Sequence, residues 1–133
     1  MTLKVKGKLE VTLSRANGLA NNDFLKNVDS YVILKYASTQ VKASCVSYAP
    51  TVSRSCPWWN EFFYFDVITN GVNVLTMELY DNATHKFIGI ANIPLDVVFF
   101  VDSIPETDYQ IFTDYGLYVG DIYVALTFTR EED

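Results

Sequence analysis

The sequence predicts an all-β fold: an antiparallel sandwich or barrel built from about eight short strands. Three observations carry that expectation. Apolar and polar residues alternate with a period of two in segment after segment, and turn-forming residues separate the segments. The aromatic content is high, with nine Tyr and nine Phe in 133 residues, and these are side chains that pleated, half-buried strands favour. No segment carries the 3.6-residue apolar period of a strong amphipathic helix.

Taken in order, residues 8–15 alternate with Leu9, Val11 and Leu13 on one face, and Asn17-Gly18 turns the chain. A polar loop follows, rich in Asn and Asp, up to the strand at 30–36. There Val32, Leu34 and Tyr36 oppose Tyr31, Ile33 and Lys35. A third strand is expected over 40–46. Residues 47–57, with two prolines and several Ser and Thr, read as a long connection. Residues 58–67 form an aromatic strand, Asn70-Gly71 marks a turn, and 72–80 is a fifth strand. The polar run 81–86 leads into a strand at 87–95. Residues 96–100 suit a helical turn or an irregular crossing, 109–112 a short strand, Tyr115-Gly116 a turn, and 120–129 a long closing strand. The length suits one domain with one core, about 7–129, with frayed ends.

Composition narrows the function. The net charge is −6 and no basic cluster is visible, which argues against nucleic acid and against purely electrostatic attraction to anionic lipid. No apolar run is long enough to span a bilayer, and the N-terminal segment lacks a signal-peptide core, so a cytoplasmic protein is expected. Cys45 and Cys56 have neither CxxC spacing nor histidine partners and are expected to be free thiols. One histidine, scattered serines and no Gly-rich phosphate loop offer no catalytic constellation, so the chain is not expected to be an enzyme. Asn82-Ala83-Thr84 matches a glycosylation sequon, which carries no weight in a chain expected to be cytoplasmic. In the first loop, Asp23 and Asp29 flank Phe24-Leu25. They suit either turn residues bonding their own backbone or oxygen donors to a hard cation such as calcium.

Four stretches, in order, resemble the C2 domain, the calcium- and lipid-binding module of protein kinase C and synaptotagmin. Leu9 to Leu19 is similar to the family's opening strand and its A-x-x-L exit. Asp29-Ser30-Tyr31-Val32 is similar to D-P-Y-V, with Ser30 in the proline position. Pro57-Trp58-Trp59-Asn60-Glu61-Phe62 is similar to P-x-W-N-E-x-F. Leu79-Tyr80-Asp81 followed by Phe87-Ile88-Gly89 is similar to V-x-D-x-D…F-I-G. The resemblance implies an eight-stranded antiparallel β-sandwich with the phospholipase-type (type II) strand order and binding loops at one end.

In calcium-binding members, aspartates from two loops hold the ions. By resemblance Asp23, Asp29 and Asp81 match three of them, while Ala83 and Lys86 stand where further acids are expected. Calcium takes about six to eight oxygens, so three carboxylates and a neighbouring lysine imply weak calcium binding or none. Phe24 and Leu25 match the apolar loop tip that enters membranes. Trp59 matches the structural tryptophan, and Trp58, on the opposite face, is a candidate partner contact, as is Lys86. Lys35 and Lys42 fall where members carry a basic lipid patch. The expected function is a non-catalytic binding and targeting module, calcium-independent or weakly dependent. It would dock to a protein partner or a peripheral membrane phospholipid surface, at a membrane or cytoskeletal structure. The alternatives are a calcium-dependent phospholipid binder using the reduced aspartate set, and a secreted β-sandwich adhesin or lectin.

Overall fold

The structure is a computed structural model and describes residues 5–17, 29–45 and 58–131. Its elements are β1 (Lys6–Asn17), β2 (Ser30–Tyr36), β3 (Gln40–Ala43), β4 (Trp58–Ile68), β5 (Val74–Asp81), β6 (Phe87–Pro94), α1 (Asp96–Val101), β7 (Ser103–Phe112) and β8 (Tyr118–Arg130). The strands run in the order β3-β2-β5-β6-β7-β8-β1-β4, with every neighbouring pair antiparallel. One residue pair, Ile90 with Phe112, joins β6 to β7. The chain is thus two four-stranded sheets hinged at that seam and folded face to face over a common core. The final strand lies beside the first, which is the order expected from the resemblance.

The alternation read from sequence sets which faces are buried. Leu9, Val11 and Leu13 of β1, Val32 and Leu34 of β2, Phe65 and Val67 of β4 and Val124, Leu126 and Phe128 of β8 all lie in the core. Trp59 is buried, and its indole N–H donates to the carbonyl of Ser30 at 3.2 Å, tying one sheet to the other. The polar handle of a buried indole is satisfied in this way. The hydroxyl of Ser30, buried and standing where the family has proline, has no hydrogen-bond partner.

β3 and β4, at the two ends of the strand order, meet through side chains. The Gln40 amide donates to the carbonyl of Asp66 at 2.7 Å and accepts from its N–H at 2.9 Å, much as a neighbouring strand would. Lys42 lies over the Phe65 ring at 5.6 Å and covers the core edge. β3 therefore inverts its sequence pattern: the polar Gln40 and Lys42 reach across the seam, while Val41 is exposed.

Two expectations need correction. β3 ends at Ala43 rather than 46, after which the chain turns so that Ser44 bonds Val32 in both directions, at 2.8 Å each. β7 starts at Ser103 rather than 109. Its first six residues carry Pro105, Glu106 and Asp108 and a register shift, features that read as loop but are tolerated in a strand with so little pairing on one side. Of the two readings left open for residues 96–100, the helical turn holds: α1 spans Asp96–Val101, with Val98 and Phe99 buried.

Candidate functional site

One end of the sandwich gathers the starts of β2, β6 and β8 and the ends of β1, β5 and β7, as the pairs Asn17–Asp121, Ser30–Asp81, Tyr80–Phe87 and Phe112–Tyr118 require. Asp29 and Asp81 come together here: Ser30 pairs with Asp81, and the Asn82 N–H donates to the carbonyl of Asp29 at 2.9 Å. Strand pairing thus brings the backbones of these two residues to one end of the sandwich. Asp23, Phe24 and Leu25 lie outside the described residues, as does the side chain of Trp58, whose backbone opens β4 opposite Arg15.

The β5–β6 connection is short and closed on itself. The Asp81 N–H donates to the carbonyl of Lys86 at 2.9 Å, and the His85 N–H to the carbonyl of Asp81 at 2.7 Å. The Asp81 carboxylate is engaged at both oxygens: Oδ1 accepts from the Ala83 N–H at 2.9 Å and Oδ2 from the Thr84 hydroxyl at 3.1 Å. This is the local side-chain-to-backbone bonding that aspartate makes in tight turns. His85 takes a left-handed φ of 57° at the corner, and Lys86 beyond it is exposed and forms no ion pair among the described residues.

Aromatic rings flank this turn on the outer face of β2, β5 and β6. Tyr31 stacks on Tyr80 with centroids 5.6 Å apart, and Phe87 meets Tyr80 edge-on at 5.8 Å. The Tyr31 hydroxyl lies 3.1 Å from His85 Nδ1. The Tyr80 O–H donates to Glu78 at 3.0 Å, and burial, then this bond, pushes the phenol upward. Lys35 pairs with the same Glu78 oxygen at 2.9 Å, and the bond raises its ammonium pKa. Lys35 thus projects from the outer face while Lys42 covers the core seam on the other. The two do not form the basic patch the resemblance implied.

Among the described residues, no group of three or more His, Cys, Asp or Glu side chains is placed to hold a metal ion. Calcium takes about six to eight oxygens. The described part of the end contributes Asp29, an exposed Asp114, an Asp121 that accepts the Tyr118 hydroxyl, and an Asp81 already bonded to its own turn, with Ala83 and Lys86 at the positions where acids were expected. Among the described residues, this donor set does not by itself make up a full calcium cage.

The model of the C2 domain family matches residues 7–110. The chain belongs to the C2 domain family. Among curated proteins, this C2 domain is similar to Elicitor-responsive protein 3 of Oryza sativa subsp. japonica, at 39% identity over 131 residues, covering 97% of this chain and 88% of that one. It is also similar to the 16 kDa phloem protein 2 of Arabidopsis thaliana, at 38% identity over 130 residues, covering 96% and 84%. Among solved structures it superposes on a C2 domain-containing protein from a putative elicitor-responsive gene with a TM-score of 0.84 and 38% identity, covering 99% of this chain and 96% of that one. A C2 domain of plant Extended Synaptotagmin 1 superposes with a TM-score of 0.70 at 22% identity, covering 96% and 97%, a likeness of fold. Such relatives place this C2 domain among calcium- or lipid-binding and targeting modules, a family that is generally non-catalytic. Among the described residues, no helix is long and apolar enough to cross a membrane.

Sequence reasoning missed one feature of this end. The β7–β8 turn carries Tyr115 at 79% exposure and Leu117 at 50%. The Tyr115-Gly116 turn was legible in the sequence; that its aromatic would stand fully outside was not, because turn residues have no periodicity from which a buried face can be read.

Proposed function

We propose that this C2 domain is a non-catalytic targeting module that docks through its loop end to a protein partner or a peripheral membrane, with weak calcium dependence or none. It would act in the cytoplasm, attached to a membrane or cytoskeletal structure. The observation that carries the reading is the engagement of both Asp81 carboxylate oxygens by Ala83 and Thr84 within the same turn. A calcium ion would have to share or displace these donors and would lie near Lys86, whose charge repels it. Asp23 and Asp29, with Asp81, remain the residues that would hold calcium if it binds. Phe24, Leu25, Trp58 and Lys86 are the proposed docking contacts.

The test is a thermal melt of the full chain in millimolar calcium against chelator, followed by vesicle sedimentation under both conditions. A ligand that binds only the folded state at a hundredfold excess over its dissociation constant stabilises by about 2.7 kcal/mol. The expected result is no shift, or one well below that. A rise of several degrees that disappears in Asp29→Asn would overturn calcium independence and favour a calcium-dependent phospholipid binder.

A further inference from the structure

Two Asn-Gly pairs stand in the sequence, Asn17-Gly18 and Asn70-Gly71, and the fold treats their asparagines differently. Asn17 closes β1, held in the ladder opposite Asp121. Asn70 is exposed in the β4–β5 connection, where the Gly71 N–H donates to the carbonyl of Ile68 at 3.0 Å and closes a β-turn. Among the described residues the Asn70 carboxamide has no hydrogen-bond partner, so it is free to turn onto its own backbone. Gly71 does not take a left-handed φ. A Cβ there would lie 3.4 Å from the Ile68 carbonyl oxygen and 3.8 Å from Ile68 Cβ, which are ordinary contacts. The backbone therefore does not require glycine at this position, while its missing Cβ leaves the nitrogen open to approach. The residues that follow are fixed at three points. Val72 accepts the Tyr36 hydroxyl at 2.8 Å, the Asn73 carbonyl accepts the Leu95 N–H at 2.8 Å, and the Asn73 amide donates to the Asp96 carboxylate at 3.1 Å.

We propose that Asn70-Gly71 is a self-modifying site: it deamidates through a succinimide, and the isoaspartate product loosens the α1 end. Solvent hydroxide takes the Gly71 amide proton, which releases the bond to Ile68, and the nitrogen attacks Asn70 Cγ. The N–Cγ bond forms and the Cγ–Nδ2 bond breaks. Ammonia leaves with a proton from water, which returns the hydroxide. Water then opens the five-membered ring at Cγ to give aspartate, or at the backbone carbonyl carbon to give isoaspartate. The step needs no oxidant and no enzyme. Asparagines outside the two Asn-Gly pairs are each followed by a residue whose Cβ crowds this attack. Either product adds one negative charge to a chain already at −6. Isoaspartate also routes the main chain through Cβ and Cγ, so the turn gains a backbone atom just ahead of Val72 and Asn73. With those residues tied to Tyr36, Leu95 and Asp96, the longer turn strains or breaks the ties that hold the β4–β5 connection to α1. Aspartate adds charge without length and leaves them in place.

The test is incubation of the full chain in mildly alkaline buffer, followed by peptide mapping with mass spectrometry. Isoaspartate is read by an isoaspartate-specific methyltransferase with labelled S-adenosylmethionine. The expected result is conversion at Asn70 ahead of Asn17, to isoaspartate and aspartate together, with a matching acidic shift on isoelectric focusing. Gly71→Ala should lose the conversion at Asn70 over the same interval and melt like the parent, since the turn has room for the Cβ. Asn70→Gln, an exposed change that removes the five-membered ring, should give the same loss with Gly71 untouched. The isolated isoaspartate form should melt below the parent, and Asn70→Asp should melt with it. Conversion that continues unslowed in Gly71→Ala, or that yields aspartate alone, overturns the succinimide route. Conversion at Asn17 only, or at neither pair, overturns the site. An isoaspartate form that melts with the parent overturns its coupling to α1.

Discussion

At the end holding Asp29, Asp81 and the β7–β8 hairpin, the described connections are short and are held by their own polar side chains. Asp81 staples one turn and Thr113 the other, each bonding within five residues of itself. At the opposite end, the β6–β7 connection is the six-residue α1, and it is held by the core. Val98 and Phe99 are buried, and Phe99 meets Phe128 edge-on at 5.1 Å. Arg130 donates to the carbonyl of Phe99 at 3.1 Å, and the Phe128 N–H to the carbonyl of Asp102 at 2.7 Å. One end is thus fastened by local hydrogen bonds that contribute about 1 kcal/mol each, the other by buried aromatic area worth several times as much. Substitutions at the α1 end should change stability, and those at the loop end should change binding.

The largest effect should come from Phe99→Ala. Removing a buried ring costs about 3–5 kcal/mol, and urea unfolding would show a lowered midpoint with an unchanged slope. A loss below about 1 kcal/mol would mean that α1 is not anchored through this ring, and the contrast between the ends would fail. Next is Gly89→Ala, at the β6–β7 seam near the loop end. An added Cβ would lie 2.6 Å from Ile111 Cγ2 and 3.0 Å from the carbonyl oxygen of Phe112. Overpacking there should cost about 1–3 kcal/mol. The seam is joined by one residue pair, so this variant shows whether the loop end depends on its junction with the other sheet as well as on its turns.

The contrast was only partly legible in the sequence. Strands with clean alternation were found within two residues, as for β1, β2 and β8, because burial of one face enforces the period. β7 was found only in its last four residues, since Pro105, Glu106 and Asp108 hide a strand that is exposed along much of its length. β3 was found, but its alternation, with Val41 and Ala43 on one face, leaves those residues exposed, because Gln40 and Lys42 turn toward the seam for hydrogen bonding and ring contact that no hydropathy pattern encodes. At the candidate site, the motif order put Asp29 before β2 and Asp81 at the end of β5, and the pairing of those strands brings the two positions to one end. The closure of Thr84 and Ala83 onto Asp81 depends on one loop conformation and could not be read from residue types. Asp23, Phe24 and Leu25 lie outside the described residues.

Alkaline titration sharpens the comparison, because both ends hold groups displaced in the same direction. Burial pushes up the phenol of Tyr36, which bonds Val72 at the α1 end, and that of Tyr80 near the loop end. The bond to Glu78 raises Lys35. In each case the folded state keeps its proton where the unfolded chain has begun to lose it. The associated stability is complete below the unfolded values of about 10 and declines as pH climbs through the raised folded ones. Unfolding free energy should therefore fall from about pH 10 upward, with tyrosine ionisation, followed by absorbance, lagging behind that of free tyrosine. Lys35→Met should reduce the alkaline slope. An unchanged slope would assign the whole effect to the tyrosines.

A smaller change is expected for Asp81→Asn. Asparagine keeps one acceptor oxygen and loses the other, so one of two turn bonds goes, at about 1 kcal/mol or less. A loss of several kcal/mol would show that the loop end depends on this carboxylate for more than its own turn.

The smallest effect on stability is expected where apolar exposure is greatest. Phe100 is 85% exposed, next in sequence to the buried Phe99. Phe100→Ser leaves the core untouched and removes an apolar ring that gains nothing from burial in the isolated chain. The change in unfolding free energy should stay within about 0.5 kcal/mol, the ordinary range for surface positions. Set against Phe99→Ala, the pair places nearly the full stability range on adjacent residues, with burial as the only large difference between two identical side chains. A marked loss in Phe100→Ser would mean that the ring is covered in solution, and size-exclusion chromatography of the parent would then have to show self-association through the α1 end. A neutral result at every protein concentration would leave that end as the one anchored by its core, through Phe99 and Val98.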